Sequence, residues 1–282
     1  MLQEMLQQIS PLDSAAMEAA RQHWDAIAKP LHSLGRLEDL VVQLAGIAGT
    51  ANLPPRKKAV LIFCADNGIV AEGVTQTTQA VTAAVTRNFT KGIASVNALS
   101  RVCGADVFPV DIGVAEELHC DGIISRKIAG GTRNFAHEPA MTREQAERAI
   151  LTGIALVGEK VAAGYNLIIT GEMGIGNTTT SSAVFSVLQQ LPPEQVTGRG
   201  AGLSGAGLRH KVEVIAKAIA LHQPDRNDVL DVLSKVGGLD ICGMAGAFLG
   251  GAVYHVPVLI DGFISAVAAN CAVRLAPLCR QY

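Results

Sequence analysis

The segment from Tyr165 to Val184 constrains the fold of this chain more than any other stretch. It opens with the aliphatic run Leu167 to Thr170, passes through a glycine-spaced bend from Gly171 to Gly176, and continues with small residues that suit a helix. A buried strand, a bend and a helix in this order are typical of a parallel α/β sheet. Glycines let a phosphate approach the backbone, and the unpaired N–H groups at a helix start attract anions. The segment therefore predicts an anion site.

The spacing of Gly171, Gly176 and Thr178 matches the phosphate-binding loop of nucleoside triphosphatases, but Asn177 stands where that motif has its lysine. This difference argues against a nucleoside triphosphatase. A bend that only redirects the chain is the alternative. Glu172 argues against that alternative, because open α/β sheets bind ligands at the carboxyl ends of their strands. The residues predicted to contact substrate at this bend are Gly174, Ile175, Gly176, Asn177 and Thr178.

A second glycine series, Gly200, Gly202 and Gly205, matches the letters of the dinucleotide-binding fingerprint. The residues before it are polar and include prolines, and no strand-end acid follows about 20 positions later, so the dinucleotide interpretation fails. The loop nevertheless leads into a helix that carries Lys211 near its start. We predict that Gly202 and Lys211 bind an anionic substrate; a solvated lysine is the alternative.

Four apolar runs of the sequence each end in an acid: Asp66, Asp111, Glu172 and Asp261. If these runs are parallel strands of one sheet, their acids share the edge at which ligands bind. One or two of the acids are expected to cap the following element instead. Several carboxylates in one cleft repel a free polyphosphate but stabilise positive charge that develops on a sugar. The acids that do not cap are therefore predicted to line one shared ligand cleft.

Composition limits the partners and the compartment. The net charge is −2 and no lysine or arginine stripe occurs, which argues against nucleic acid as a partner. Apolar runs are interrupted before they reach membrane-spanning length, and the N-terminus lacks a signal-peptide pattern. Six cysteines without a C-x-x-C pair favour free thiols in a cytoplasmic protein. Histidine spacing indicates no metal site, and no cofactor is expected.

The 282 residues are expected to form two parts. Residues 1–50 are predicted to be an N-terminal helical lobe or dimer contact, with one helix over 13–28 and a second from about Leu37. Residues 51–282 are predicted to be a Rossmann-like α/β domain, with a doubly wound, mostly parallel sheet and helices on both faces.

Four segments resemble the nicotinate-nucleotide:dimethylbenzimidazole phosphoribosyltransferases of cobalamin lower-ligand assembly: KPLHSLGRLEDLVVQLAGI, GEMGIGNTTTSSA, KVGGLDICGMAGAFLGGA and PVLIDGFISAVAA. The resemblance extends over essentially the whole chain and implies a homodimer. It implies transfer of ribose 5-phosphate from nicotinate mononucleotide to 5,6-dimethylbenzimidazole, giving α-ribazole 5′-phosphate and nicotinate. It places five residues in, or on the rim of, the ribose phosphate site: Glu172, Gly174, Gly176, Lys211 and Asp261.

The resemblance also identifies the acid–base requirement. Nicotinate leaves from a pyridinium and departs neutral at nitrogen, so it needs no general acid, whereas the incoming benzimidazole loses an N–H proton to a general base. The family's base is a glutamate in a C-terminal R-L-G-E-G-S-G-A stretch, which does not occur before Tyr282. Either the chain is truncated, or the base lies elsewhere, with Glu172 as the internal candidate. A non-catalytic nucleotide-binding homologue is the alternative function.

Other positions also depart from the family pattern. In the loop that contacts the aromatic base, Thr77 keeps the hydroxyl of a common serine and is predicted to bind substrate. Val85 replaces a common glutamine, so the resemblance leaves the identity of the base open. Asn67 stands where the family has histidine, and His32 where it has glycine.

Overall fold

The computed structural model describes residues 1–282 and contains one five-stranded sheet whose strands all pair in parallel. In chain order the strands are β1 (Lys58–Ala65), β2 (Ala105–Gly113), β3 (Ile124–Ser125), β4 (Leu167–Met173) and β5 (Val258–Leu259). Their spatial order is β3-β2-β1-β4-β5. The predicted α/β fold with a parallel sheet is confirmed.

Twelve α-helices accompany the sheet. They are α1 (Leu2–Leu6), α2 (Ser14–Ala26), α3 (Arg36–Ala48), α4 (Ala80–Thr90), α5 (Ser95–Cys103), α6 (Arg143–Ala162), α7 (Asn177–Gln189), α8 (Pro193–Val196), α9 (Gly205–His222), α10 (Val229–Val236), α11 (Leu239–Val253) and α12 (Gly262–Leu275). Short 3₁₀ helices occupy Gly68–Glu72 and Pro277–Gln281. None of the helices combines the length and the apolar character needed to cross a lipid bilayer.

The central strand β1 is apolar on both faces, which is the pattern of a strand buried between two helix layers. Val60 and Ile62 pack in one cluster with Phe89 of α4. Leu61 and Phe63 belong to the main core, to which α6 and α11 contribute. Because successive side chains of a strand point to opposite faces, this alternation shows that helices cover both sides of the sheet.

The direction in which the sheet is extended reverses at β1. β2 pairs with one edge of β1 and β4 with the other. In open α/β sheets, ligands bind beyond the carboxyl ends of the strands at such a switch point. Cys64 of β1 lies opposite Met173 of β4, so the segments that follow these two residues form the crevice.

The N-terminal helices α2 and α3 have a small core of their own. Its three buried side chains are Ala20, Val42 and Ala45. Asp13 caps α2 by accepting a hydrogen bond from the Ala16 N–H at 2.9 Å. Both helices lie within about two residues of their predicted bounds. Leu2 and Ile9, in contrast, pack into the main core, so the chain before α2 is attached to the sheet domain.

Helices α6 and α11 cross at backbone contact distance. A Cβ atom on Gly153 would lie 2.0 Å from the Gly243 carbonyl oxygen, and one on Gly246 would lie 2.0 Å from the Ile150 carbonyl oxygen. Only glycine fits at these positions, because both contacts are to backbone atoms that cannot rotate away. The crossing fixes the position of α11 against the sheet.

Replacing Gly246 with alanine is expected to destabilise the fold by about 3 kcal/mol, because overpacking of this kind displaces two buried helices. The matched control is Gly205→Ala at the first residue of α9, where the nearest group to the new methyl is the end of the Arg209 side chain at 3.8 Å. Urea unfolding measures both free energies. Equal stability of the two variants would contradict the close crossing.

Candidate active site

The glycine bend between β4 and α7 packs closely against β1 and the segment that follows it. A Cβ atom on Gly174 would lie 2.5 Å from a carbonyl oxygen of β1, and one on Gly176 would lie 2.8 Å from Val70 Cγ2. Gly176, the N-cap of α7, has φ +93°, a conformation that favours glycine. The Ile175 N–H donates to Thr82 Oγ1 of α4 at 3.1 Å. One of the backbone N–H groups that were predicted to bind an anion therefore holds the bend in place instead.

The side chain of Asn177, the first residue of α7, connects two carboxyl groups. Its Nδ2 donates to Glu172 Oε2 and, at 3.1 Å, to Asp240 Oδ2. Asp240 lies in the first turn of α11 and is fully buried. Burial and then the charge of Glu172 raise the pKa of Asp240 to about 7. Burial also raises the pKa of Glu172. These three side chains, which we call the Asn177 bridge, join β4, α7 and α11.

The sequence does not predict Asp240 as a site residue, since it lies inside a glycine-rich apolar segment and not at the end of an apolar run. The signal that could have found it is the apolar character of α11, in which every residue is buried. A lone acid in such a helix must be paired or neutral, because an isolated buried charge is very costly.

Lys211 of α9 is only 1% exposed. Its Nζ donates to Thr178 Oγ1 at 2.7 Å and to the Gly198 carbonyl oxygen at 3.4 Å. Burial lowers the pKa of Lys211 to about 8. The alternative of a solvated lysine is therefore wrong.

Lys211 lines a cavity of about 10 Å³, here called the lysine pocket, together with Thr178, Gly200, Gly202 and the segment around Gln76. Gln76 Nε2 donates to the Gly202 carbonyl oxygen at 2.5 Å. This hydrogen bond connects the two loops on either side of the pocket and holds them together.

An apolar cleft of about 450 Å³ lies on the face of the sheet that α4 and α5 cover. Its apolar lining includes Ile62, Val85, Phe89 and Met173. Glu172 and Asp261 line the same cleft. A volume of this size, with few polar groups among apolar ones, is typical of a small-molecule site. The cleft suits a flat aromatic group that meets carboxylates at one end.

A polar cleft of about 570 Å³ lies beside the start of α4. Thr77 lines this cleft, so the structure places it in a different cavity from Glu172 and Asp261. Gln76 lines both the polar cleft and the lysine pocket, so these two cavities adjoin. The structure thus divides the predicted site residues: Thr77 lines the polar cleft, Thr178, Gly202 and Lys211 line the lysine pocket, and Glu172 and Asp261 line the apolar cleft, whereas Gly174, Ile175, Gly176 and Asn177 line none of the three.

Two of the four strand-end acids hold backbone groups. Asp66 Oδ2 accepts from the Ala115 N–H at 2.8 Å, and Asp111 Oδ1 accepts from the Val114 N–H at 2.9 Å. Both acids are buried, and burial raises the pKa of each. They fix the loop after β2 and cap no helix, which differs from the predicted capping role, while the other two acids line the apolar cleft.

The chain is similar in sequence and in fold to known proteins. A family model described as phosphoribosyltransferase matches residues 9–282. Two relatives named nicotinate-nucleotide–dimethylbenzimidazole phosphoribosyltransferase are 51% identical over 100% of this chain (Acetivibrio thermocellus) and 50% identical over 99% (Ruminiclostridium cellulolyticum). The chain spans 80% of the length of each. The crystal structure of CobT from Thermus thermophilus matches with a TM-score of 0.90 at 38% identity, covering 95% of this chain and 80% of that one.

Replacing Lys211 with methionine is expected to stabilise the protein near neutral pH, because it removes a buried ammonium that has only two acceptors. The pKa of Lys211 is about 8 in the fold and about 10.4 in an unfolded chain. Between these values the fold binds fewer protons than the unfolded chain, so the wild type gains stability as pH rises through this window. The amount by which the melting temperature of K211M exceeds that of the wild type should therefore be largest below pH 8 and shrink toward about pH 10.

Differential scanning calorimetry across this pH range measures the effect. Lys217→Met, at an exposed position of the same helix, is the control. An excess melting temperature of K211M that does not change with pH would contradict the buried, weakly basic lysine.

Proposed function

The chain belongs to the nicotinate-nucleotide–dimethylbenzimidazole phosphoribosyltransferase family, and we propose that it transfers ribose 5-phosphate from nicotinate mononucleotide to 5,6-dimethylbenzimidazole, forming α-ribazole 5′-phosphate and nicotinate. The geometry at the start of α7 supports this most directly. Asn177 contacts Glu172 at the apolar cleft, and the next residue, Thr178, contacts Lys211 in the lysine pocket. Adjacent residues thus hold a carboxylate and a buried cation, which suits a phosphorylated sugar that carries an aromatic leaving group.

The phosphate group is proposed to bind in the lysine pocket. Lys211 supplies an ammonium and Thr178 a hydroxyl, and the positive end of α7 favours an anion. Gly202, at φ +113°, lets the phosphate approach the backbone. The pocket of about 10 Å³ has room for roughly one water molecule. Phosphate entry therefore requires the Gln76–Gly202 hydrogen bond to break and the two loops to separate.

The aromatic base is proposed to occupy the apolar cleft. Val85 and Met173 present only apolar atoms and sulfur to a flat ring, while Glu172 lies where the ring N–H can reach it. Thr77 is proposed to contact substrate from the polar cleft, which adjoins the lysine pocket. Gly174, Ile175 and Gly176 form the bend that leads from Glu172 at the apolar cleft to Thr178 at the lysine pocket, and their contact with substrate is proposed from this position alone.

During transfer, the bond between C1′ and the nicotinate nitrogen breaks, and its electron pair stays with that nitrogen. The sugar carbon becomes positive, and the carboxylates of Glu172 and Asp261 stabilise this charge. The unprotonated ring nitrogen of the benzimidazole forms the new bond to C1′, and the proton on its other nitrogen passes to Glu172. The raised pKa of Glu172, which burial causes, makes it a stronger base than a solvated carboxylate.

We also propose a homodimer, a Rossmann-like domain over residues 51–282 beside a helical lobe, and a cytoplasmic location. Exposed apolar side chains concentrate on the lobe: Ile27, Leu31, Leu34, Leu37 and Leu40. Such patches mark contact surfaces. All six cysteines are unpaired, as in proteins of reducing compartments. Small-molecule substrates are the proposed partners, without nucleic acid or a membrane.

Leu37→Glu is expected to convert the proposed dimer to monomers, because it places a charge within the apolar surface of the lobe. Sedimentation velocity measures the change. Leu221→Glu, a similarly exposed position on α9, is the control and should leave the dimer intact. A wild-type monomer would contradict the proposed assembly.

The proposed reaction is tested by nicotinate release from nicotinate mononucleotide, with and without dimethylbenzimidazole. Release is expected only with the base present. Glu172→Gln should lower kcat by about 10²-fold or more, since it removes the general base, whereas Glu213→Gln, at an exposed position on α9, should not. Binding of both substrates without release, or full activity of E172Q, would contradict the assignment.

A further inference from the structure

We infer that Asp240 is a positioning residue that works in its protonated form: its carboxyl O–H donates to Asn67 Oδ1, and through Asn177 it fixes the orientation of Glu172. The effect on catalysis depends on the proposed function. The protonated state of Asp240 does not depend on it and is tested separately.

An unpaired oxygen on Asn67 is the first observation. Asn67 follows β1 and is fully buried. Its Nδ2 donates to the Ile175 carbonyl oxygen at 3.4 Å, but its Oδ1 has no donor in the structure. A buried acceptor without a partner costs about 1–3 kcal/mol, so a proton from a neighbouring group is expected at this oxygen.

The carboxyl group of Asp240 lies beside that oxygen. A Cβ atom placed on Gly238 would lie 2.4 Å from Asp240 Oδ1 and 2.8 Å from Asn67 Oδ1. A Cβ atom placed on Gly174 would lie 2.8 Å from Asp240 Oδ2 and 3.0 Å from Asn67 Nδ2. The carboxyl and the amide therefore border the same two spaces, which the missing side chains of Gly238 and Gly174 leave open. Both Asp240 Oδ1 and Asn67 Oδ1 are acceptors, so they can form a hydrogen bond across this space only if Asp240 carries a hydrogen.

The surrounding charges favour a proton on Asp240. Glu172 faces it from β4 and has the same sign of charge, whereas the thiols of Cys64 on β1 and Cys242 on α11 stay neutral because burial raises the pKa of each. The N-terminus of α11 and the Ile241 N–H, which donates to Asp240 Oδ1 at 3.0 Å, favour the anion instead. Burial and the charge of Glu172 outweigh them, and the pKa of Asp240 is raised to about 7.

This protonation leaves the charge of the Asn177 bridge on Glu172. Two carboxylates joined by one amide cannot both ionise without a large cost, so one of them holds the proton. With the proton on Asp240, Asn177 donates one hydrogen to each acid, and Glu172 remains an oriented, ionised base. Above pH 7 Asp240 loses its proton, the donation to Asn67 ends, and the second negative charge competes for Asn177.

Asp240→Asn mimics the neutral acid toward its two side-chain partners, because its amide can donate to Asn67 and accept from Asn177, while it gives up the hydrogen bond from the Ile241 N–H. D240N is expected to keep turnover near the wild-type value and to lack the activity loss above pH 7, while its acidic limb stays at the wild-type position because Asp240 is already neutral at the pH where Glu172 gains its proton. Asp240→Ala should lower kcat by about 10²-fold, the effect of a misplaced catalytic group. An inactive D240N, or a D240A variant as active as D240N, would overturn the positioning role.

Carbon-13 NMR of aspartate carboxyl groups tests protonation without turnover, with D240N providing the assignment. The Asp240 signal should titrate near pH 7 in the wild type and at lower pH in Asn67→Ala, which removes the acceptor. Titration near the ordinary aspartate value of about 3.9 would overturn the inference. Titration near 7 in a chain that releases no nicotinate would preserve the protonated Asp240 and reject the proposed reaction instead.

Discussion

The site depends on one amide shared by two carboxyl groups, the buried one of Asp240 and the half-buried one of Glu172. Glu172, Asn177 and Asp240 come from a strand and two helix starts, and they meet at the point where the sheet reverses its direction of extension. Their contact requires α11 to lie close to the sheet, and the glycine crossing with α6 provides this. The tight bend at Gly174 and Gly176 brings the third element, α7, into reach. The close packing of glycines thus determines where the side chains of Glu172, Asn177 and Asp240 lie relative to one another.

The proposed function and stability oppose each other at the buried charges. Lys211 and Asp240 are both removed from water, and their pKa values move toward neutral pH in opposite directions, down for the lysine and up for the acid. Uncharged side chains of similar size would suit these positions better in the absence of substrate. An incoming phosphate gives Lys211 a partner of opposite charge, and a positive sugar carbon does the same for Glu172. We therefore interpret the cost of burying these ionisable groups as preorganisation of the site for a substrate that carries both positive and negative charge.

The sequence predicts the framework because strand and helix patterns are local. The apolar run of β1 and the cap of α2 at Asp13 each depend on a few neighbouring residues, and the parallel sheet follows from the order of the strands and helices. The failure of the dinucleotide interpretation is also readable from neighbouring residues, because the segment before the second glycine series is polar and contains prolines. In the structure α9 begins there without a preceding strand.

The site itself is only partly predictable. The sequence identifies strand-end acids, but whether each holds a backbone N–H or faces a cleft depends on loops distant in sequence, as Asp66 and Ala115 illustrate. Lys211 is buried because the loop of residues 198–204 folds over it. Thr77 lies in a separate cleft because of the path that the chain takes just before α4. Asp240 escapes detection because its hydrogen-bond partner Asn177 and its neighbour Asn67 come from other parts of the chain.

A crystal structure with nicotinate mononucleotide bound would test the central claim most directly. We predict a phosphate oxygen within hydrogen-bonding distance of both Lys211 Nζ and Thr178 Oγ1, the Gln76–Gly202 hydrogen bond broken, and C1′ facing the carboxylate of Glu172. A phosphate bound elsewhere, with Lys211 still enclosed and Glu172 remote from the sugar, would contradict the account.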